Sequence, residues 1–233
     1  STVTAHLAAR HGPRLDAIVH INTGIGVDQT REYVRGFARW LETLLIEKHA
    51  PRTYEELVMK YGFPGPAAHR YMYIWLKERA LREVRREAQG GENRRVLFIT
   101  GVRSSESQRR MGHVEPVQRE GNTVWVAPIR DFEHKDIWDY RSEYCLPRNE
   151  VVEILHMSGE CLCGAFSKPK ELEWLSIWYP DVADRIRRLE KQAHEAGLKS
   201  CHWGPQSSRK LREAPRPLCS GCAYDKTEAV ELL

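Results

Sequence analysis

The run Val96-Leu97-Phe98-Ile99, closed by Thr100-Gly101-Val102-Arg103-Ser104-Ser105-Glu106-Ser107, places the tightest limit on how this chain folds. Four strand-forming apolar residues stopped by a polar turn and a glycine read as a β-strand with a functional end. In open α/β sheets, ligands sit at the carboxyl ends of strands. Gly101 lets backbone approach a ligand closely, and Arg103 offers a planar fork that matches phosphate or sulfate. The strand end is therefore a candidate anion site, with ordinary loop chemistry as the alternative.

The same pattern recurs along the chain. A helix is expected from Ser1 to Arg10, broken by Gly12-Pro13. Ala17–Ile21 reads as a strand, ended by Asn22-Thr23-Gly24-Ile25-Gly26. Asp28 and Thr30 are placed to cap a helix over Arg31–Lys48, with Tyr33, Phe37, Trp40, Leu41 and Leu44 on its core face. Further helices are expected at Tyr54–Tyr61 and His69–Gln89. The second is basic, with Lys77, Arg79, Arg82, Arg85 and Arg86 off its apolar stripe. A strand over Thr123–Ile129 and a helix from His134 to about Tyr144 follow. Strands alternating with helices predict an α/β fold with a parallel sheet and helices on both faces.

Past residue 150 the character changes. Val151–Met157 is ambiguous, helices are expected at Lys170–Trp178 and Asp181–Ala196, and the remainder is rich in Pro, Ser, Arg and Cys. Two regions follow: residues 1–150 as an α/β domain, and 151–233 as a Cys-rich helical and irregular region, which a bound metal would stabilise.

Charge and cysteine usage narrow the function classes. A net charge of +4 is too mild for a dedicated nucleic-acid binder. No apolar run is long enough to span a bilayer and no export signal is visible, so a cytoplasmic protein without a membrane partner is expected. Close cysteine pairs in that setting read as metal or cluster ligands before disulfides. The pairs are Cys161-Leu162-Cys163 and Cys219-Ser220-Gly221-Cys222. Residues two apart in an extended segment share a face, and Cys-x-x-Cys in a turn converges likewise. Together they make a four-sulfur site for a 4Fe–4S cluster or Zn, a disulfide being the further alternative. Cys201, beside His202, competes for a ligand place, and Cys145 is expected to be a packed thiol.

Several segments, in order, resemble the phosphoadenosine phosphosulfate (PAPS) reductase family of PP-loop nucleotide-binding proteins. His20-Ile21-Asn22-Thr23-Gly24 with Thr30-Arg31-Glu32-Tyr33-Val34 is similar to that family's strand ending in Asp-Thr-Gly and its following helix. Lys77 falls where the family has a Lys before the central strand. Thr100–Ser107 resembles its Gly-x-Arg-x-x-Glu-Ser turn. Pro128-Ile129-Arg130-Asp131-Phe132, Asp136-Ile137-Trp138-Asp139-Tyr140 and Leu146-Pro147-Arg148-Asn149 resemble its later strand, helix and exit. The likeness covers roughly residues 1–165.

The resemblance implies a Rossmann-like adenine-nucleotide fold and makes Ser1-Thr2 the last residues of a PP-loop whose first strand and glycines are expected before them. Backbone N–H groups there would hold phosphate. It implies an enzyme acting on ATP or an adenylyl sulfate, in sulfonucleotide reduction or sulfur transfer. The nucleotide would be held by Ser1, Thr2, Asn22, Thr23, Gly24, Gly101, Arg103 and Ser107, with Mg as an accessory ion. Arg103 and Lys77 would neutralise the anion, and Glu106 would orient Arg103 or contact the ligand. His113 and His134 are available as acids or bases. The resemblance also tilts the choice at Cys161, Cys163, Cys219 and Cys222 toward iron–sulfur. A protein donor of sulfur or electrons, nucleic acid as sulfur acceptor, and homo-oligomerisation complete the expected partners.

Three departures from the family pattern shape this reading. Asn22 stands where the family usually has Asp. The Glu-Cys-Gly-Leu-His tail of assimilatory reductases has no counterpart in Ala229–Leu233. His69-Arg70-Tyr71 occupies the place of the Cys-Cys pair of cluster-bearing adenylylsulfate reductases. Cysteines placed after Leu146-Pro147 resemble those of relatives that insert sulfur into DNA, which supplies the alternative function. A non-catalytic nucleotide-binding subunit is the other.

Overall fold

The computed structural model describes residues 1–12, 14–90, 94–106 and 115–204. They form an α/β protein of two compact units, each with its own core. The larger unit spans Gly12–Val96 and continues from Arg148; the smaller joins Ser1–His11 to Leu97–Pro147.

The larger unit begins with a β-α-β element. Strand β1 (Ile18–Asn22) leads into helix α2 (Asp28–Trp40) and then strand β2 (Leu45–His49), which pairs with β1 in parallel from Ile18↔Leu45 to Asn22↔His49. The parallel pairing places the ends of both strands together, and the Ala50 N–H donates to the Asn22 carbonyl at 3.1 Å. The helix does not run to Lys48 as its apolar spacing predicts. It stops at Trp40; Glu42 adopts a left-handed φ of 51°, and the Thr43 N–H turns back to the Ala38 carbonyl. Consequently Phe37 is buried, but Trp40 and Leu44 are 46% and 65% exposed rather than in the core. Thr30 does not cap α2 either: its hydroxyl donates to the Ser158 carbonyl at 2.6 Å.

Helix α3 (Tyr54–Tyr61) opens with a reciprocal capping box, Thr53 with Glu56. Helix α4 (His69–Tyr73) continues through a π-helical stretch, Ile74–Glu78, into α5 (Arg79–Gln89), which ends at Gly90 in the left-handed region. Helices α7 (Glu150–Leu155), α8 (Glu171–Trp178) and α9 (Pro180–Glu195) complete this unit. Ala183, Ile186, Leu189 and Ala193 of α9 join Tyr54, Leu57, Met72, Leu76 and Leu162 in one core. The segment after Gly197 buries more than its composition suggests. Trp203 is buried, with its indole N–H donating to the Leu162 carbonyl at 2.8 Å and its backbone N–H to Glu190 at 2.8 Å.

In the smaller unit, helix α1 (Thr2–His11) and helix α6 (His134–Glu143) pack through Val3, Leu7, Ile129, Ile137 and Leu146. Its sheet has the order β3-β5-β4, with β3 at Val96–Ile99, β4 at Val117–Glu120 and β5 at Thr123–Val126. β4 and β5 form an antiparallel hairpin across Gly121-Asn122. Cys145, expected to be packed, is exposed, with a left-handed φ of 47° just beyond α6.

Candidate active site

The smaller unit assembles one group of predicted residues at the end of β3. The Thr100 N–H continues the sheet to the Val126 carbonyl at 2.8 Å, and the chain then leaves through Gly101-Val102-Arg103. A side chain at position 101 would lie 2.9 Å from the Ser1 nitrogen and 2.9 Å from Thr4 Oγ1. Only glycine lets the strand end meet the start of α1 so closely. Thr4 Oγ1 is buried and has no hydrogen-bond partner among the described residues. Such an atom signals a missing ligand or water. Ser104 fixes the turn beyond Arg103: its N–H and hydroxyl both donate to the Arg130 carbonyl, at 2.7 and 2.9 Å. Arg103 itself is half-buried. Gly101 thus meets Ser1 and Thr4 directly, with Thr2 between those two in sequence and Arg103 two residues beyond Gly101. Glu106 ends a short 3₁₀ turn, Ser104–Glu106, while Ser107 and His113 lie outside the described residues. His134 begins α6, with its ring against Trp138.

The larger unit assembles the remainder around the end of β1. Asn22 closes a tight turn, its side-chain oxygen accepting from the Gly24 N–H at 2.8 Å while its amide donates to Glu47 at 3.2 Å. An Asn thus makes a donor contact that an ionised Asp could not. Thr23 is fully buried. Its N–H donates to Glu160 Oε1 at 3.1 Å and its hydroxyl to the Glu160 carbonyl at 2.5 Å. The other carboxylate oxygen of Glu160 stands 3.2 Å from His20 Nε2, and neither atom has a well-aligned hydrogen bond among the described residues. Arg185 of α9 donates to both Glu55 and the Gly24 carbonyl, tying the turn to α3. Sequence reading missed Glu160 and Arg185 as the supports of this turn. Both lie more than 100 residues from the turn they hold, and neither sits in a local motif.

Glu160 also leads directly into the thiols. Cys161 and Cys163 interact through their sulfurs, with Lys77 close enough to act on both. The hydrogen bond from Cys163 and the Lys77 charge bring the Cys161 thiol down to about 7, against the opposing effect of burial. The Cys163 thiol is pushed up by the same pairing and by burial. Tyr54 donates its phenol hydrogen to the Cys163 carbonyl at 2.9 Å, and Trp203 holds the intervening Leu162 carbonyl. Burial and the neighbouring thiols push the Tyr54 phenol upward. Lys77 sits in the π-helical stretch, and such single-turn widenings recur at functional sites.

No group of three or more His, Cys, Asp or Glu side chains among the described residues could hold a metal ion. Cys219 and Cys222 lie outside those residues, and Cys201 packs against the core of the larger unit. No helix among the described residues is long and apolar enough to cross a membrane.

Comparison with known proteins names the class these features define. The phosphoadenosine phosphosulfate reductase domain matches residues 1–156, two thirds of the sequence, and the chain belongs to that family. Among solved structures, a PAPS reductase from Candida auris in a phosphate complex is 18% identical, with a TM-score of 0.48, covering 65% of this chain and 71% of that one. No curated protein matches the chain.

Proposed function

We propose that this member of the family is an enzyme that binds an adenylyl sulfate and releases its sulfur as sulfite. The observation that carries this reading is the fit of Gly101 against Ser1 and Thr4, with the Thr4 hydroxyl buried and unpartnered beside it. The start of α1 and the Arg103 guanidinium suit an oxyanion, since both concentrate positive charge where a phosphate or sulfate would develop more negative charge. Arg103 stabilises the departing oxyanion. In the larger unit, the turn Asn22-Thr23-Gly24 is held from behind by Glu160 and Arg185. Lys77 favours the thiolate form of Cys161.

Cys161 and Cys163 share one face and suit a thiolate-binding metal centre, for which Cys219 and Cys222 would be the second pair. A 4Fe–4S cluster there would supply electron storage, and Zn would supply structural cross-linking alone.

Incubation of the chain with PAPS and a dithiol reductant tests the activity. Sulfite should appear with one equivalent of adenosine bisphosphate and of oxidised dithiol. Pyrophosphate release from ATP without sulfite would instead favour sulfur insertion into an acceptor such as nucleic acid. Nucleotide binding without turnover would identify a non-catalytic subunit.

A further inference from the structure

Helix α8 carries an apolar face that the larger unit leaves uncovered. Leu175 is fully buried and fixes the inner side of the helix. The outer side carries Trp174, Ile177 and Trp178, at the i, i+3, i+4 spacing of a single helical face. They are 54%, 72% and 53% exposed. Two half-exposed indoles and an isoleucine amount to on the order of 350 Å² of apolar surface. A contiguous patch of that size on a soluble domain marks an interaction site.

The charges near this face fall into two groups. Some are engaged within the chain: Arg187 pairs with Asp184 and donates to Ser176 at 2.6 Å, and Arg185 pairs with Glu55. Lys170, the N-cap residue of α8, and Asp181, in the first turn of α9, are exposed and have no ion-pair partner among the described residues. They flank the apolar face at opposite ends and with opposite sign. A cation at a helix N-terminus opposes the helix dipole, so Lys170 does not stabilise its own helix. Laid antiparallel on a second α8, with the twofold axis between Leu175 and Ser176, the face matches itself. Trp174 then lies opposite Ile177 of the other copy and Lys170 opposite its Asp181, each pair occurring twice as an isologous contact requires. A stable interface takes about 800 Å² from each partner. The three apolar side chains supply its centre, and exposed Lys170, Glu173 and Asp181 extend it as a polar rim.

We infer that α8 is the centre of a twofold interface between two copies of this chain, with Trp174, Ile177 and Trp178 as its apolar core and Lys170–Asp181 pairs at its rim. None of these residues belongs to the strand ends or to the thiol segment, so the interface forms whether or not the proposed reaction takes place.

Sedimentation velocity of the full chain across the micromolar range tests it, with reductant present so that exposed Cys145 forms no cross-link. Wild type should sediment as a monomer–dimer equilibrium. Ile177→Arg should raise the dimer dissociation constant about tenfold or more, as expected for loss of a central apolar anchor, with an unchanged circular dichroism spectrum. Lys170→Glu and Asp181→Lys should each raise it about fivefold, because each sets like charges together at both ends of the helix pair. The double variant K170E/D181K should return to within about twofold of wild type, a rescue that a structural role within one chain does not predict. Lys191→Gln, a remote charge loss paired with Glu195, should change nothing. A wild-type chain that stays monomeric overturns the interface, whatever else covers the helix. A dimer unmoved by Ile177→Arg also overturns it. If Ile177→Arg fails to fold, the charge exchange decides: rescue in the double variant supports the antiparallel pairing, and a double variant no better than the single ones overturns it.

Discussion

The chemistry at Cys161 is set by its neighbours. Cys163 donates to the sulfur and Lys77 adds positive charge, and together they outweigh burial, which alone would favour the neutral thiol. The Cys161 thiolate is therefore favoured at a lower pH than an ordinary thiol's. In chelator-treated protein, the rate of Cys161 alkylation should rise with a midpoint near pH 7. The midpoint should move upward in Lys77→Gln and in Cys163→Ala. A midpoint near 9 in wild type, unmoved by both changes, would remove the electrostatic account. Glycine supplies a second residue-scale test. A Cβ at Gly26 would lie 2.5 Å from the Glu160 carbonyl oxygen and 2.9 Å from that of Gly159, whereas one at Gly36, inside α2, would meet nothing within 4 Å. Gly26→Ala should cost about 1–3 kcal/mol through overpacking. Gly36→Ala should gain about 0.5–1 kcal/mol through helix propensity. Urea denaturation of the two variants gives the signs, and equal effects would contradict the packing described.

At the scale of elements, the β1–α2–β2 unit depends on Glu47. Its carboxylate accepts from Arg35 at 2.9 and 3.0 Å and from Asn22. The Arg35 hydrogen bonds hold the Glu47 carboxyl below its ordinary 4.5, overcoming burial. Its contribution to stability is thus complete above the ordinary value and fades as pH falls through the lowered one. Glu47→Gln should flatten that part of the acid-unfolding curve, followed by circular dichroism between pH 6 and 2; an unchanged slope would refute the coupling. The sequence made β1, β3, α3 and the long helix of α4 and α5 readable, because apolar runs, caps and closing glycines are local signals. It hid β2, since Leu41 and Leu44 continue the helical spacing of α2 while Glu42 and Thr43 break the helix. The β4–β5 hairpin was not read from the sequence, which marked only a strand over Thr123–Ile129; β4 is short and exposed, so it carries no apolar alternation to announce it. The π stretch has no sequence signature, so the neighbours of Lys77 emerge only from the coordinates.

At the scale of the whole molecule, the predicted site residues divide between the units. Ser1, Thr2, Gly101 and Arg103 lie in one; Asn22, Thr23, Gly24, Lys77, Cys161 and Cys163 lie in the other. The motifs were legible because each is a short strand end with its following turn. The supports were not, because Glu160 and Arg185 reach the Asn22 turn across 137 and 161 residues. The account rests on an oxyanion of an adenine nucleotide held at the end of β3 by Arg103. Calorimetric titration of PAPS into wild type and Arg103→Gln measures this directly. One nucleotide per chain should bind to wild type, and about tenfold or more weakly to the variant, as expected for loss of a charge-assisted hydrogen bond. No binding to wild type, or equal affinity in the variant, would contradict it.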